Sequence, residues 1–485
     1  VDGVNARFRF TDPRPSVEEL GRVHLIAIGG AGMSGVARLL LARGVPVSGS
    51  DAAYGPALEA LRDSGARVHV GHDPSHVKHA DTVVISSAVP EDNVELAAAR
   101  SAGLPVLHRA QALAALMGDA RRVAVAGANG KTTTTSMLTV ALVAAGDDPS
   151  FASGGEIAQL GTNAALGTGE AFVVEADESD GSFLAYRPHV AVVTNVQADH
   201  LDFYGTLDRV KAAYEAFTDT ITDDGCLVVC RDDPGARALG ERASARGMSV
   251  ETYGFGDGAD LRVLSTAADG LGSRSVVQHR GRRRDLELRV PGNHNVLNAC
   301  AAYLAAVVGL GAEPSPVLDA LAGFTGARRR FEVRGSEMGV TVVDDYAHNP
   351  AKVSAVVGTG ADIVRRRGGA LHVIFQPHLY SRTRDFAEDF ARALAPADHV
   401  QLLDVYGARE RPMAGVTSAL VGDRLAALPG DRTLVVMPTR EEAVASTARA
   451  ARPGDLVLVV GAGDVTALAP LVLDALRERD GGDRS

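Results

Sequence analysis

Short apolar runs recur along the chain, each followed by a glycine-bearing turn and then by residues with helical spacing. The first run, VHLIAI (23–28), ends in GGAGMSG, and VARLLLARG then carries the period of a helix closed by Gly44. VPVSGSD (45–51), DTVVISS (81–87) and LPVLH (104–108) read as further strands, so residues 1–120 form one β-α-β domain. The same order restarts at RRVAVAGANGKTTTTSMLTVALVAAG (121–146) and continues through the strands AFVVEADES (171–179) and HVAVVTNVQADH (189–200). Residues 225–290 turn β-rich, with CLVVC, SVETYGF and LELRV, before NVLNACAAYLAAVVGLG makes a helix, which closes a second domain at 121–325. A third alternation follows over 326–485, with VTVVDDYAH, LHVIFQPH, HVQLLDVY, TLVVM and DLVLVVGAG separated by amphipathic stretches such as 384–395. The charged tail RERDGGDRS is expected to fray.

This alternation predicts an α/β chain of three domains; with the glycine turns GGAGMSG and GANGKT after their first strands, the N-terminal domain is expected to be Rossmann-like and the central one P-loop ATPase-type with extra β-strands, and the C-terminal domain Rossmann-like. A length of 485 residues agrees with that division, at roughly 150 residues per domain. Charge narrows the partners. A net charge of -11 argues against a general nucleic-acid surface, which needs clustered excess Lys and Arg. No apolar run has the ~18 residues of a membrane span, and VDGVNARFRFTDPRPS lacks the apolar centre of a signal peptide, so a cytoplasmic protein without membrane attachment is expected. Cys226, Cys230 and Cys300 are too few for a disulfide framework and read as reduced core thiols. The chain is expected to be a monomer or homodimer.

The chemistry starts at GANGKTTTT. Gly127 and Gly130 supply a tight strand-to-helix turn whose free N–H groups suit phosphate, with Ala128, Asn129 and Thr133 in the same cradle. Lys131 is placed to reach the β and γ phosphates, and the Thr132 hydroxyl to reach Mg2+. Glu175 ends one following strand, and Asp199 and His200 lie just past another. If those strands flank RVAVAG, a carboxylate and an imidazole converge on the lysine loop. Asp177, Glu178 and Asp180 read as solvated loop acids, and His72, His76 and His79 as surface residues.

In the first domain Gly30, Gly32 and Gly35 form a G-x-G-x-x-G turn, with Met33 and Ser34 inside it and Asp51 21 residues after Gly30, near the ~20-residue offset of a ribose-binding acid. Such a turn accepts a pyrophosphate. It fits NAD or a UDP-sugar, with Ser86 and Ser87 at the next strand end as further contacts. These residues leave open an NAD-dependent oxidoreductase or a non-catalytic UDP-sugar-binding protein, although neither has a use for the whole set of Lys131, Thr132, Glu175 and His200.

The ordered blocks GGAGMSG, GKTTTT, EADESDGSF, TNVQADHLDFYG, PGNHNVLNA, GARRRFE, VDDYAHNP and FQPHLYSRT resemble the Mur ligases over about residues 22–470. The first block and QPHLYSRT separate this chain from members that add later amino acids. The resemblance implies an ATP- and Mg2+-dependent amide ligase of peptidoglycan precursor synthesis that joins L-alanine to the lactyl carboxylate of UDP-N-acetylmuramate through an acyl phosphate, the three domains binding the UDP-sugar, ATP and the amino acid. It also implies roles. Lys131 holds the γ phosphate; Thr132, Glu175 and His200 bind Mg2+; Asn293, His294 and Asn295 contact adenine or phosphate; Arg330 contacts phosphate and Asp345 the ATP ribose; Tyr346, His348 and Arg382 lie near the incoming amino acid, with Tyr406 and Glu410 as weaker candidates. The chain departs from the family pattern at Ala128 and Asn129, where Thr and His are usual, at Gln197 for Glu, and at Leu379 for Arg.

Overall fold

The computed structural model describes Asn5, residues 7–408 and residues 410–482. Its strands form three sheets. The chain divides into two compact units: everything through Arg289 together with Asn293–Thr325, and Val290–Gly292 with the remainder from Gly326.

The first unit holds two sheets. The N-terminal one has five parallel strands in the order Arg67–Val70, Val47–Asp51, Val23–Ile26, Thr82–Ile85, Val106–His108, the order of a Rossmann half extended on its far side. Arg67–Val70 carries too few apolar residues to announce itself as a strand and is absent from the sequence reading. The central sheet has ten strands. Arg121–Ala126, which feeds the lysine loop, lies parallel between Ala171–Glu175 and Val190–Val193, so the two strands bearing the candidate ligands are its direct neighbours. Beyond Cys226–Cys230 and Ser249–Gly254 the sheet continues as antiparallel strands Leu261–Asp269, Gly272–His279 and Arg282–Leu288. Arg280 and Gly281, both with positive φ, form the tight turn between the last two. At the opposite edge lie Ser150–Ile157 and Thr162–Ala165, whose small polar residues hid them from a hydropathy reading.

One apolar core joins the two sheets of this unit. Leu25, Met33 and Leu113 from the N-terminal part belong to the same buried cluster as Val174, Phe183 and Tyr214 from the central part. All three cysteines are free and buried.

The second unit contains a six-stranded sheet in the order Glu332–Glu337, Val340–Asp345, Leu456–Val460, Leu371–Phe375, His399–Leu402, Thr433–Val436, parallel except for its first strand. The helical stretch expected at 384–395 is two helices, Tyr380–Asp385 and Ala387–Leu394, interrupted at half-exposed Phe386. The tail expected to fray instead continues a helix, Leu468–Gly482; residues 483–485 lie outside the described residues. Among the described residues no helix is long and apolar enough to cross a membrane.

Candidate active site

The lysine loop is shaped by what surrounds it. Gly127 has φ 132° and Gly130 φ 92°, backbone that L side chains avoid. A β-carbon would stand 2.0 Å from Thr194 Oγ1 at Gly127 and 2.5 Å from Asn298 Oδ1 at Gly130. Thr194 Oγ1 and Asn195 Nδ2 both donate to the Asn129 carbonyl, at 2.6 and 2.8 Å, and Asn195 Oδ1 accepts the Asn129 N–H at 2.9 Å. The Asn129 N–H, expected in the phosphate cradle, is therefore engaged by the neighbouring strand end. The first turn of helix Lys131–Ala144 supplies the N–H groups that remain. Two of the family departures touch each other: Asn129 Nδ2 donates to Gln197 Oε1 at 3.2 Å.

Lys131 lies beside Glu178. Its Nζ donates to Gly127 O at 2.7 Å and to the two Glu178 carboxylate oxygens at 3.0 and 2.8 Å. Burial opposes the charge on Lys131, but Glu178, Asp177 and Glu175 outweigh it and hold the lysine above its ordinary pKa. His200, with left-handed φ 53°, sets its Nε2 3.7 Å from Glu178 Oε1. Glu178 is thus the point where lysine and imidazole meet. Its place in ADESDG suggests a solvated loop acid, yet its side chain is 3% exposed.

The other acids after Glu175 are also engaged. Asp177 accepts from Arg109 Nη2 at 3.1 Å. Asp180 is buried against His108, Nε2 to Oδ2 3.2 Å, and accepts the Ser87 hydroxyl. The Ala110 N–H donates to His108 Nδ1 at 3.2 Å, so the ring hydrogen sits on Nε2 and points at Asp180. Burial works to raise the Asp180 pKa, and the His108, Ser182 and Ser87 hydrogen bonds override it, leaving the carboxyl well below its usual range. The solvated-acid reading fails because two residues of the N-terminal part, distant in sequence, cover this turn.

Glu175 points elsewhere. It accepts the Gly154 N–H at 2.8 Å and lines a cleft of about 350 Å³ shared with the glycine turn. Gly30, Gly32, Met33, Gly35 and Ser86 line the same cleft, as do Arg109 and Asp177. Arg109 went unnoticed in the sequence, yet a β-carbon at Gly32 would stand 3.1 Å from its Nη1, which makes it the cation beside the glycine turn. Two expected contacts are used differently. Ser34 is buried and donates its hydroxyl to Ala31 O at 3.1 Å, and Asp51 Oδ2 accepts the Gly29 N–H at 2.9 Å, which braces the turn from behind.

Asn293 and His294 are exposed at the start of helix Asn293–Leu304, whereas Asn295 is buried and accepts from Asn298 Nδ2 at 3.2 Å. Asn298 is the side chain against Gly130, so this helix reaches the lysine loop through a residue absent from the sequence reading. Thr132 is buried and Thr133 half-buried in the first turn beyond the loop. Among the described residues no cluster of three or more His, Cys, Asp or Glu is disposed to hold a metal ion. Thr132, Glu175 and His200 lie on separate elements, Glu175 against the Gly154 N–H and His200 beside Glu178; the hydroxyl and carboxylate are oxygen donors of the kind a hard cation takes together with phosphate oxygens and water.

The second unit carries its own cluster. Both Asp345 oxygens accept backbone N–H groups, from Phe331 at 2.7 Å and Ala347 at 2.8 Å, so the acid expected at a ribose secures the 329–331 turn. The Arg330 guanidinium lies over the Tyr346 ring at 5.5 Å. His348 Nδ1 donates to Tyr346 O at 2.9 Å, and burial pushes its pKa down to about 3, leaving a neutral imidazole. Arg382 Nη1 donates to His348 O at 3.4 Å, and Tyr406 stacks on His378. Leu379, where the family pattern has Arg, holds φ 72° and caps helix Tyr380–Asp385.

His72 and His76, read as surface residues, instead approach buried Glu95 with Nδ1 at 3.2 and 2.6 Å, while His79 is exposed.

A parallel sheet that delivers a lysine-bearing glycine turn to a helix N-terminus, beside a second glycine turn on a Rossmann sheet, defines a nucleotide-binding α/β protein of multidomain type. The chain belongs to the Mur ligase family. Residues 22–121 match its catalytic domain, 125–306 its middle domain and 329–463 the glutamate ligase domain. It is 54% identical over 466 residues to the UDP-N-acetylmuramate–L-alanine ligase of Kineococcus radiotolerans, covering 96% of this chain and 98% of that one. The corresponding ligase of Mycolicibacterium smegmatis is 49% identical over 470 residues, 95% of this chain and 96% of that one. Among solved structures, the UDP-N-acetylmuramate-alanine ligase MurC of Thermotoga maritima superposes with a TM-score of 0.78 at 28% identity, over 94% of this chain and 99% of that one.

Proposed function

We propose that this chain is an ATP-dependent amide ligase that joins L-alanine to the lactyl carboxylate of UDP-N-acetylmuramate, in cytoplasmic peptidoglycan precursor synthesis. The observation that carries this reading is the placement of Glu175: its strand pairs directly with the one feeding Lys131, while its carboxylate lines the cleft of the glycine turn. One carboxylate therefore stands between the two anion-binding turns, where a phosphoryl group passes from one ligand to the other.

A carboxylate is a poor electrophile, and phosphorylation gives it a leaving group. In this reading residues 1–120 hold the UDP-sugar, through the turn at Gly30–Gly35, Ser86 and Arg109. Residues 121–325 hold ATP on Gly127, Gly130, Lys131 and the N–H groups of the first helical turn, with the Asn293–Asn295 helix end beside it. Thr132, Glu175 and His200 would hold Mg2+, which would supply neutralisation of phosphate charge. Lys131 stays protonated, and its charge opposes the negative charge that builds during transfer. Residues 326–485 receive L-alanine near Tyr346, His348 and Arg382, where a neutral His348 places no positive charge beside the incoming amine.

The test is ADP release with UDP-N-acetylmuramate and single amino acids. L-alanine should drive turnover, Lys131→Ala should abolish it while sparing UDP-sugar binding, and ADP release independent of both acceptors would overturn the assignment. Fluorescence quenching by NADH at micromolar concentration would instead favour an oxidoreductase.

A further inference from the structure

We propose that Glu178 is a positioning residue that competes with nucleotide phosphate for Lys131, so that nucleotide binding exchanges one anion for another at the ammonium. The inference rests on reading residues 127–132 as the phosphate cradle.

An ammonium group has three protons to donate. Lys131 Nζ has three oxygens in hydrogen-bond range: Gly127 O at 2.7 Å, Glu178 Oε1 at 3.0 Å and Glu178 Oε2 at 2.8 Å. All donors are committed, and the side chains of Lys131 and Glu178 are only 13% and 3% exposed, so water does little to screen the pair. A phosphate oxygen gains a proton from this lysine only by displacing one of the three acceptors. Gly127 O belongs to a loop fixed by a φ of 132° and by Thr194 packed against its α-carbon. The carboxylate is the partner that yields.

Glu178 cannot follow the lysine. Its carbonyl accepts the Tyr204 hydroxyl, and its neighbours on either side are tied to the N-terminal part of the unit, Asp177 to Arg109 and Asp180 to His108. The lysine arm therefore moves and the carboxylate stays. It is not stranded, because His200 Nε2 stands 3.7 Å from Oε1. Such a competitor sets a threshold. A single weak anion does not displace a two-oxygen carboxylate contact, whereas a polyphosphate that also engages the helix N-terminus does.

The experiment is calorimetric titration of the full chain with ADP, in wild type, Glu178→Gln, Glu178→Asp, Lys131→Ala and the Lys131→Ala/Glu178→Gln double variant, with thermal melting as the check on folding. Glu178→Gln should bind ADP about tenfold more tightly than wild type, since a charge-assisted contact no longer has to be broken. Glu178→Asp, whose shorter arm weakens the contact, should fall between and serves if the glutamine variant does not fold. In the Lys131→Ala background Glu178→Gln should change ADP affinity little, which separates exchange at the lysine from a general loss of negative charge. Unchanged or weaker binding in the folded Glu178 variants, or a gain that persists without Lys131, would overturn the exchange. Failure of the wild-type chain to bind ADP would overturn the cradle reading and the inference with it.

Discussion

His108 and Asp180 stand 3.2 Å apart, Nε2 to Oδ2, and join the end of the last strand of the N-terminal sheet to the turn that follows Glu175. The helix cap fixes the direction of the hydrogen bond: the Ala110 N–H occupies Nδ1, which leaves Nε2 as donor. The next residue repeats the connection, Arg109 to Asp177. Two adjacent side chains of one domain thereby hold the two acids that flank Glu178, and the lysine loop and the glycine turn share one scaffold.

Asp180→Asn tests that connection. The amide either turns its NH2 toward the His108 donor or gives up an acceptor for Ser182, and a buried donor without a partner costs about 1–3 kcal/mol. Urea denaturation should show a loss of that size. Combined with His108→Ala it should be markedly non-additive, because both changes remove one interaction.

The Lys131–Glu178 pair makes a stability prediction independent of catalysis. Lys131→Met leaves a buried carboxylate without its cation, and breaking such a pair from one side costs about 3–5 kcal/mol. Adding Glu178→Gln should recover most of that loss in thermal or chemical unfolding, although the double variant remains inactive. A double variant no more stable than Lys131→Met would show that the pair contributes little to the fold.

What was legible in the sequence was whatever local pattern controls. The glycine turns and the strands feeding them follow from apolar runs punctuated by Gly, whereas the adjacency of the Glu175 and Val190–Val193 strands to the lysine strand was only a condition of that reading, which the sheet meets. What was hidden depends on neighbours far along the chain. Glu178 reads as one more acid in ADESDG until Lys131 folds against it, and Arg109 reads as a helix residue until Gly32 and Asp177 approach it. Ser34 and Asp51 show the converse: their spacing suits ligand contacts, yet their polar atoms close the turn itself. The last two strands at one side of the central sheet, Ser150–Ile157 and Thr162–Ala165, were hidden because small polar residues give no hydropathy signal.

Arg109→Met should keep the apolar stem and remove the charge from the cleft of the glycine turn. UDP-N-acetylmuramate binding should weaken by about tenfold or more, as for loss of one charge-assisted hydrogen bond, while ADP affinity changes less. Separate titrations with the two ligands check this. Equal losses for both would mean that Arg109 acts through Asp177 on the whole turn and not on the sugar nucleotide.

Glu95 predicts an acid limit to stability within the N-terminal sheet. Its side chain is wholly buried, with His72 and His76 Nδ1 and the Asp73 N–H on its oxygens, the Ser50 hydroxyl donating to it and His24 Nε2 at 3.6 Å. Burial works to raise its pKa, but the close approach of His24 and the hydrogen bonds from Ser50, His76 and the Asp73 N–H win and hold it at about 2, below the ordinary 4.5. A carboxyl depressed in the fold stabilises above its unfolded pKa, so this contribution is complete at neutral pH and is lost as pH falls from about 4.5 toward 2. His69, stacked on His76 at 4.0 Å, is lowered chiefly by burial, so its contribution falls away earlier, below the ordinary 6.5. Glu95→Gln should therefore cost about 1–3 kcal/mol at pH 7. The gap to wild type should stay nearly constant down to pH 5 and close below pH 4.5, as denaturant unfolding across that range will read directly. A gap that closes between pH 7 and 6 would assign the effect to the histidines and not to the carboxylate.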